Sequence, residues 1–271
     1  MRKGKKMKGI ILAGGTATRL YPLTHTTSKQ LLPVYDKQMI FYPLNTLVKA
    51  GIKEILIIIA PRDAGQFLNL LVPIFDRHEV RLDFKVQSAP RGLAEAFILG
   101  ESFIDGDNVT MILGDNIFED DFSEVIRNFN SGGHVFAKKV PDPEMYGVVK
   151  FDETGKAEKI VEKPQEWISD FAIPGLYIFD GRVAEAAKQS KPSERGEIEI
   201  TEVMNFYLGK GELTVSQVEG DWLDAGTFDT LLEAGRIVKE KGISKKFDPQ
   251  IEEAIAEFNE EQKALAKKQL Q

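Results

Sequence analysis

A chain of 271 residues, 42% of them hydrophobic, can bury a sizeable core as one large domain. It has no cysteine, which excludes a disulfide framework and a thiolate metal site, and its three histidines, His25, His78 and His134, lie far apart without zinc-ligand spacing. Any metal should therefore be a hard cation held by carboxylates, and a net charge of −7 argues against a general nucleic-acid binder, which needs a basic face.

The leader MRKGKK is basic, but no apolar segment long enough for a signal peptide or a membrane span follows it. The expectation is a disordered start before Met7 and a cytoplasmic protein without a membrane partner. In chain order, residues 8–13 read as a strand, 40–50 as a helix closed by Gly51, 54–60 as a strand and 64–72 as a helix. The alternation continues with a strand at 82–87, a helix at 93–102, a strand at 109–113 and a helix at 122–130. Strands that alternate with helices pair in parallel through crossovers, which predicts a doubly wound, mostly parallel, Rossmann-like α/β sheet with helices on both faces. Ligands in such sheets sit beyond the carboxyl ends of the strands, where Gly14-Gly15 and Leu113-Gly114-Asp115 both fall.

The middle third reads as strands at 134–140, 146–151, 157–162 and 172–179 with turns between, a smaller mixed β extension suited to a second substrate. Helical patterns return at 182–189, 200–208 and 227–240. From Asp248 a tail helix is expected, with Asp248 as cap, Pro249 at its first position, and Ile251, Ile255, Phe258 and Leu265 on one face. That face can pack on its own domain or on another subunit.

The loop LAGGTATRLYPLT at 12–24 fits neither of the two commonest phosphate-binding templates. A dinucleotide fold needs Gly-x-Gly-x-x-Gly and a P-loop needs Gly-x-x-x-x-Gly-Lys-[Ser/Thr], and neither string is present here. Adjacent glycines still let a phosphate or base approach the main chain. Arg19 adds a planar fork of donors and Lys29 a second cation, both suited to phosphate.

GIILAGGTATRLYPLTHTTSKQLLPVYDKQMIFYPLNTLVKAGI, starting at Gly9, resembles the opening of the sugar-1-phosphate nucleotidylyltransferases, most closely the glucose-1-phosphate thymidylyltransferases. The likeness continues through LGDNIF at 113–118, DPEMYGVV at 142–149, VEKP at 161–164, GLYIFD at 175–180, SERGEIEIT at 193–201 and WLDAGT at 222–227. The resemblance implies a catalytic domain over 1–240, with a nucleotide part at about 7–130, a sugar part at about 131–226 and a helical tail at 241–271. It also implies Mg²⁺-dependent transfer from dTTP to glucose-1-phosphate with pyrophosphate as the second product, by a homo-oligomer (dimer or tetramer) supplying dTDP-glucose.

By the same resemblance Asp115 and Asp224 would hold the metal. Arg19 and Lys29 would hold the triphosphate and Lys163 would sit between sugar phosphate and α-phosphate; these three with Asp115 form the catalytic set. Leu12, Gly14, Gly15 and Thr16 would bed the nucleotide, while Gln87, Gly92 and Leu93, in QSAPRGLAEA, would meet the base. Tyr146, Gly147, Glu162, Gly175 and Tyr177 would meet the sugar, with Glu162 the hydroxyl acceptor. One of Glu197 and Glu199 faces the sugar or supports the metal ligand, or else both form a capping, solvent-facing pair.

Three positions depart from the family pattern. Ala17 replaces a glycine, which requires φ below zero or a narrower triphosphate bed; Gln38 replaces a proline in a segment expected to start a helix; and Pro174 lies near the sugar pocket. The alternatives are the same chemistry with UTP or another sugar-1-phosphate, since thymine and uracil differ by one methyl, or a non-catalytic sugar-nucleotide sensor on this fold.

Overall fold

The computed structural model describes residues 5–15, 17–76 and 78–269. At its centre is a ten-stranded sheet. Strand Met7–Ala13 is apolar and buried along nearly its whole length, pairing in parallel with Glu54–Ile59 on one side and Asn108–Leu113 on the other. Arg81–Val86 extends the parallel run past Glu54–Ile59. The order then changes direction: Leu176–Phe179 pairs antiparallel with Asn108–Leu113, followed by Gly133–Lys139, Phe171–Ala172, Gly147–Phe151 and Ala157–Glu162.

Alternation along the central strands builds two cores. Ile11, Ile57 and Ile112 point to the face covered by helices Phe41–Lys49 and Ala64–Phe75. Ile10, Leu56, Ile58 and Met111 point to the opposite face, under helices Glu95–Leu99, Val183–Gln189 and Ile200–Leu208. Burial on both faces explains why these strands read as near-continuous apolar runs. The register aligns Ala13 with Ile59, Ile59 with Val86 and Leu12 with Leu113, so the loops at 14–28, 87–93 and 114–115 leave the sheet at one edge.

The expected doubly wound sheet with a mixed extension is present, but several local expectations are corrected. The stretch 93–102 forms two short helices, Glu95–Leu99 and Glu101–Ile104, meeting at Gly100. The stretch 172–179 is two strands, Phe171–Ala172 and Leu176–Phe179, because Pro174 between them has no N–H to offer a ladder. Gln38 does not start a helix; it lies in Lys37–Gln38, which pairs with Pro33–Val34, and the helix begins at Phe41. Lys6 is not part of a disordered start, since its backbone N–H bonds Asp107 Oδ1 at 3.1 Å and its ammonium pairs with Glu54 at 2.9 Å; residues 1–4 lie outside the described residues. Unanticipated elements are strand Leu213–Gln217, parallel to Gly133–Lys139, and the ladder between Asn116–Phe118 and Trp222–Asp224.

Asp248 caps the tail helix Pro249–Gln269 by accepting the Gln250 N–H at 2.9 Å. Ile251 and Ala254 are buried, Ile255 and Phe258 pack against the core, and Lys37 pairs with Glu252 at 3.2 Å. Leu265, expected on the same face, is 52% exposed, so docking on its own domain uses only the first half of the helix. Among the described residues no helix is long and apolar enough to cross a membrane.

His134 lies on Gly133–Lys139 with Nδ1 2.7 Å from Thr214 Oγ1 and Nε2 buried without a partner, and burial pushes its pKa down to about 4. The folded state therefore favours neutral imidazole: this stabilisation is complete above about pH 6.5 and is lost as pH falls towards the folded value, an effect of about 2–3 kcal/mol. Urea unfolding from pH 7 to 4.5 should show wild type losing about that much more stability than His134→Gln; parallel pH profiles would refute the assignment.

Candidate active site

The loop edge of the parallel strands encloses a cavity of about 330 Å³. Leu12, Gly14, Gly15, Arg19, Lys29, Gln87, Gly92, Leu93 and Asp115 all line it; Thr16 lies outside the described residues. Gln87 is buried at the end of its strand and donates from Nε2 to Glu95 Oε2 at 2.7 Å. A Cβ added to Gly14 would lie 2.7 Å from Gln87 Oε1, so only glycine lets the amide oxygen sit against this backbone. Ala17 adopts φ +47°, ψ +37°, which rules out the first of its two alternatives, φ below zero: alanine keeps the left-handed conformation, at a cost of roughly 1–2 kcal/mol.

A second cavity, of about 500 Å³, adjoins the first. Tyr146, Gly147, Glu162, Lys163, Gly175, Tyr177 and Asp224 line it, and Arg19, Leu93, Leu113, Asp115, Glu197 and Gly226 line both. The ladder that pairs Trp222–Asp224 with Asn116–Phe118 sets Asp224 opposite Asn116, next to Asp115. Asn116 locks this corner. Its Oδ1 accepts from Trp222 Nε1 at 2.7 Å and from the Gly175 N–H at 2.9 Å, while its Nδ2 donates to Asp115 Oδ1 at 2.9 Å. A Cβ on Gly226 would lie 2.9 Å from Arg19 Nη2 and 3.2 Å from Asp224 Oδ1, so this glycine makes room for the guanidinium between the cavities.

The two carboxylates are electrically unlike. Burial and the neighbouring Asp115 push the Asp224 pKa up to about 6, and Asp224 Oδ1 is buried without a hydrogen-bond partner. Burial also opposes ionisation of Asp115, but the paired Lys29 ammonium and the Asn116 amide outweigh it and hold the pKa below the usual range. Burial, then the charges of Glu162 and Asp115, raise Tyr177, which stays a neutral phenol. The Glu162 pKa is raised by burial and by Glu199 nearby.

Among the described residues, the side chains of Arg19 and Lys163 have no ion-pair or hydrogen-bond partner, although both face the cavities. Lys163 holds φ +41°, another left-handed non-glycine position. Cations left unpaired beside a carboxylate pair suit two anionic ligands that must approach each other. An orphaned carboxylate oxygen beside a second carboxylate also fits a divalent cation. Among the described residues no three His, Cys, Asp or Glu side chains form a metal cage, so such an ion would complete its shell with water and ligand oxygens, as Mg²⁺ does.

Arg195 is a site residue that sequence reasoning misses. It pairs with Glu199 at 2.9 Å and lies 3.6 Å from Glu162 and 3.8 Å from Glu197. Glu199 is buried, accepts from Ser193 Oγ at 2.7 Å and makes no side-chain cap bond to the helix Ile200–Leu208, which corrects the capping, solvent-facing alternative for it. Arg195, Asn116 and Trp222 all lie within the recognised blocks, but which charge or amide each meets depends on chain segments far apart in sequence.

The family model described as Nucleotidyl transferase matches residues 8–241. The chain is 52% identical over 240 residues to the glucose-1-phosphate thymidylyltransferase of Neisseria gonorrhoeae, covering 86% of this chain and 83% of that protein. It is 49% identical over 238 residues to the enzyme of that name from Mycolicibacterium smegmatis, covering 86% and 82%. Among solved structures, a Bacillus anthracis protein assigned as a glucose-1-phosphate thymidylyltransferase, in complex with sucrose, superposes with a TM-score of 0.83 at 38% identity, covering 91% of this chain and 99% of that one. A UDP-glucose pyrophosphorylase complexed with UDP-glucose shares the fold, with a TM-score of 0.75 at 23% identity over 87% of this chain and 99% of that one. With a family model covering most of its length and relatives near half identity, this chain belongs to the nucleotidyl transferase family.

Proposed function

We propose that this protein transfers a thymidylyl group from dTTP to glucose-1-phosphate, giving dTDP-glucose and pyrophosphate. The observation that carries this reading is the pair of adjoining cavities that meet at Arg19, Asp115 and Gly226; the names of the relatives support the choice of nucleotide and sugar. The sugar-phosphate oxygen attacks the α-phosphorus in line and pyrophosphate leaves, with no covalent enzyme intermediate. The barrier is alignment and repulsion between two anions, so the protein contributes position and compensating charge.

In this reading Arg19 and Lys29 hold the triphosphate over the Leu12, Gly14, Gly15 and Thr16 bed, and Arg19 takes up charge on the leaving pyrophosphate. Gln87, Gly92 and Leu93 receive the base. Lys163 lies between sugar phosphate and α-phosphate, and Tyr146, Gly147, Glu162, Gly175 and Tyr177 surround the sugar. Asp115 and Asp224 are the residues that would hold Mg²⁺, whose contribution when bound is to neutralise charge on the phosphates. The catalytic domain is residues 1–240, with a nucleotide part at about 7–130 and a sugar part at about 131–226, followed by a tail at 241–271. The enzyme is cytoplasmic and assembles as a homo-oligomer.

Pyrophosphate release assayed with each nucleoside triphosphate against a panel of sugar-1-phosphates should require both substrates and favour dTTP with glucose-1-phosphate. No release from any pair by folded protein would replace this reading with that of a sugar-nucleotide sensor. Arg19→Ala and Lys163→Ala should each lower kcat/KM about a hundred- to a thousandfold, as lost transition-state contacts of about 3–4 kcal/mol do; near-wild-type turnover would make them merely solvated charges. Gly226→Ala should lower kcat at least about tenfold by displacing Arg19, with folding intact by circular dichroism. Unchanged kcat would show that the guanidinium position is not critical.

A further inference from the structure

Glu95 grips the side chain at the base end of the nucleotide cavity. Its Oε2 accepts from Gln87 Nε2 at 2.7 Å, and Arg91 lies 3.7 Å from its Oε1 as a counter-ion. Glu95 is held in place by its short helix, where Ala94, Ala96 and Phe97 on either side are fully buried. We infer that Glu95 is a positioning residue that fixes the donor–acceptor sense of the Gln87 amide, and so selects bases with a ring N–H beside a carbonyl over 4-aminopyrimidines. The inference rests on the nucleotidyl-transfer reading above.

A carboxamide fills nearly the same space in two orientations, related by exchange of its oxygen and nitrogen. An ionised carboxylate only accepts, so against Glu95 the NH₂ group must face it and the oxygen must face the other way. That oxygen lies against Gly14, at 2.7 Å from where a Cβ would be, and Gly14 has no side chain to cover it. Gln87 thus offers the cavity a fixed acceptor, with the second Nε2 hydrogen beside it. Thymine and uracil match this pair: the ring N–H donates to Oε1, and an adjacent carbonyl accepts from Nε2. Cytosine has a lone pair at the same ring nitrogen and an amine next to it. To match it the amide would have to turn, putting its oxygen against the Glu95 carboxylate. A base that leaves such buried groups unmatched is strongly rejected.

The test is kcat/KM for dTTP, UTP and dCTP, each with glucose-1-phosphate, in wild type, Glu95→Gln and Glu95→Met. A glutamine at 95 can accept or donate and a methionine offers only a weak, uncharged sulfur acceptor, so both free the Gln87 amide to turn. The expected result is a fall of at least about tenfold in the dTTP-to-dCTP ratio, carried mainly by KM, with the dTTP-to-UTP ratio unchanged because both bases carry the ring N–H. A dTTP-to-dCTP ratio preserved in either folded variant overturns the inference, including the case in which all nucleotides lose activity together, as damage to the fold would cause. Should both variants fail to fold, nucleotide-induced thermal stabilisation of the wild type decides: equal stabilisation by dTTP and dCTP overturns the inference. Wild type that turns over no nucleotide removes the underlying reaction instead.

Discussion

Two carboxylates confined in one cleft are the constraint around which this structure is organised. Asp115 and Asp224 come from opposite halves of the sequence, and they meet because the short strand Trp222–Asp224 finds its ladder partner in Asn116–Phe118, directly after Asp115. Burial first, and then repulsion from Asp115, disfavour the charged form of Asp224, and its raised pKa is the imprint of that cost. Lys29 pairs directly with one member, Asp115, while the other, Asp224, feels Lys29 and Arg19 only at a distance. The surroundings hold the arrangement in place. Lys138 donates to the carbonyls of Val218, Glu219 and Gly220 at 3.3, 3.0 and 2.8 Å, and Asp120 accepts from the Glu219 and Gly220 N–H groups. The loop that delivers Asp224 is thereby fastened through the backbone of three successive residues.

Two cations of the site stand apart from the multiply paired cations of the scaffold. Arg182, Arg236 and Lys241 are each engaged by two carboxylates. Arg19 and Lys163 have no such partner among the described residues, and the left-handed residues Lys163 and Ala17 lie in or beside the same cleft. Tyr35 and Asp105 are also left-handed, but among the described residues only at the cleft does such strain accompany unpaired cations, as at sites where folding stability is given up for ligand contact.

Much of this is legible in the chain itself. The buried strands are long enough to read as apolar runs, and the glycine pair with Arg19 marks the edge where ligands gather. Recognised blocks place Gln87, Glu162 and Asp224 as candidates, and the fold brings their segments to two adjoining cavities. What escapes are features whose signal is not local. A three-residue strand has too few residues for alternation to register, and Leu213–Gln217 is half polar because it is only partly covered. Arg195 and Glu95 look like ordinary surface charges until their partners, set by tertiary structure, are known.

The sheet runs without a break from Arg81–Val86 to Ala157–Glu162, carrying strands that border both cavities. A hydrogen-bonded sheet resists in-plane stretching, so it acts as one plate beneath the two ligands and holds the strands that border them at a fixed lateral spacing. The separation between the two cavities is therefore set when the protein folds. Accommodation of ligands of different size falls to the loops above the plate, those that carry Arg19 and Arg195.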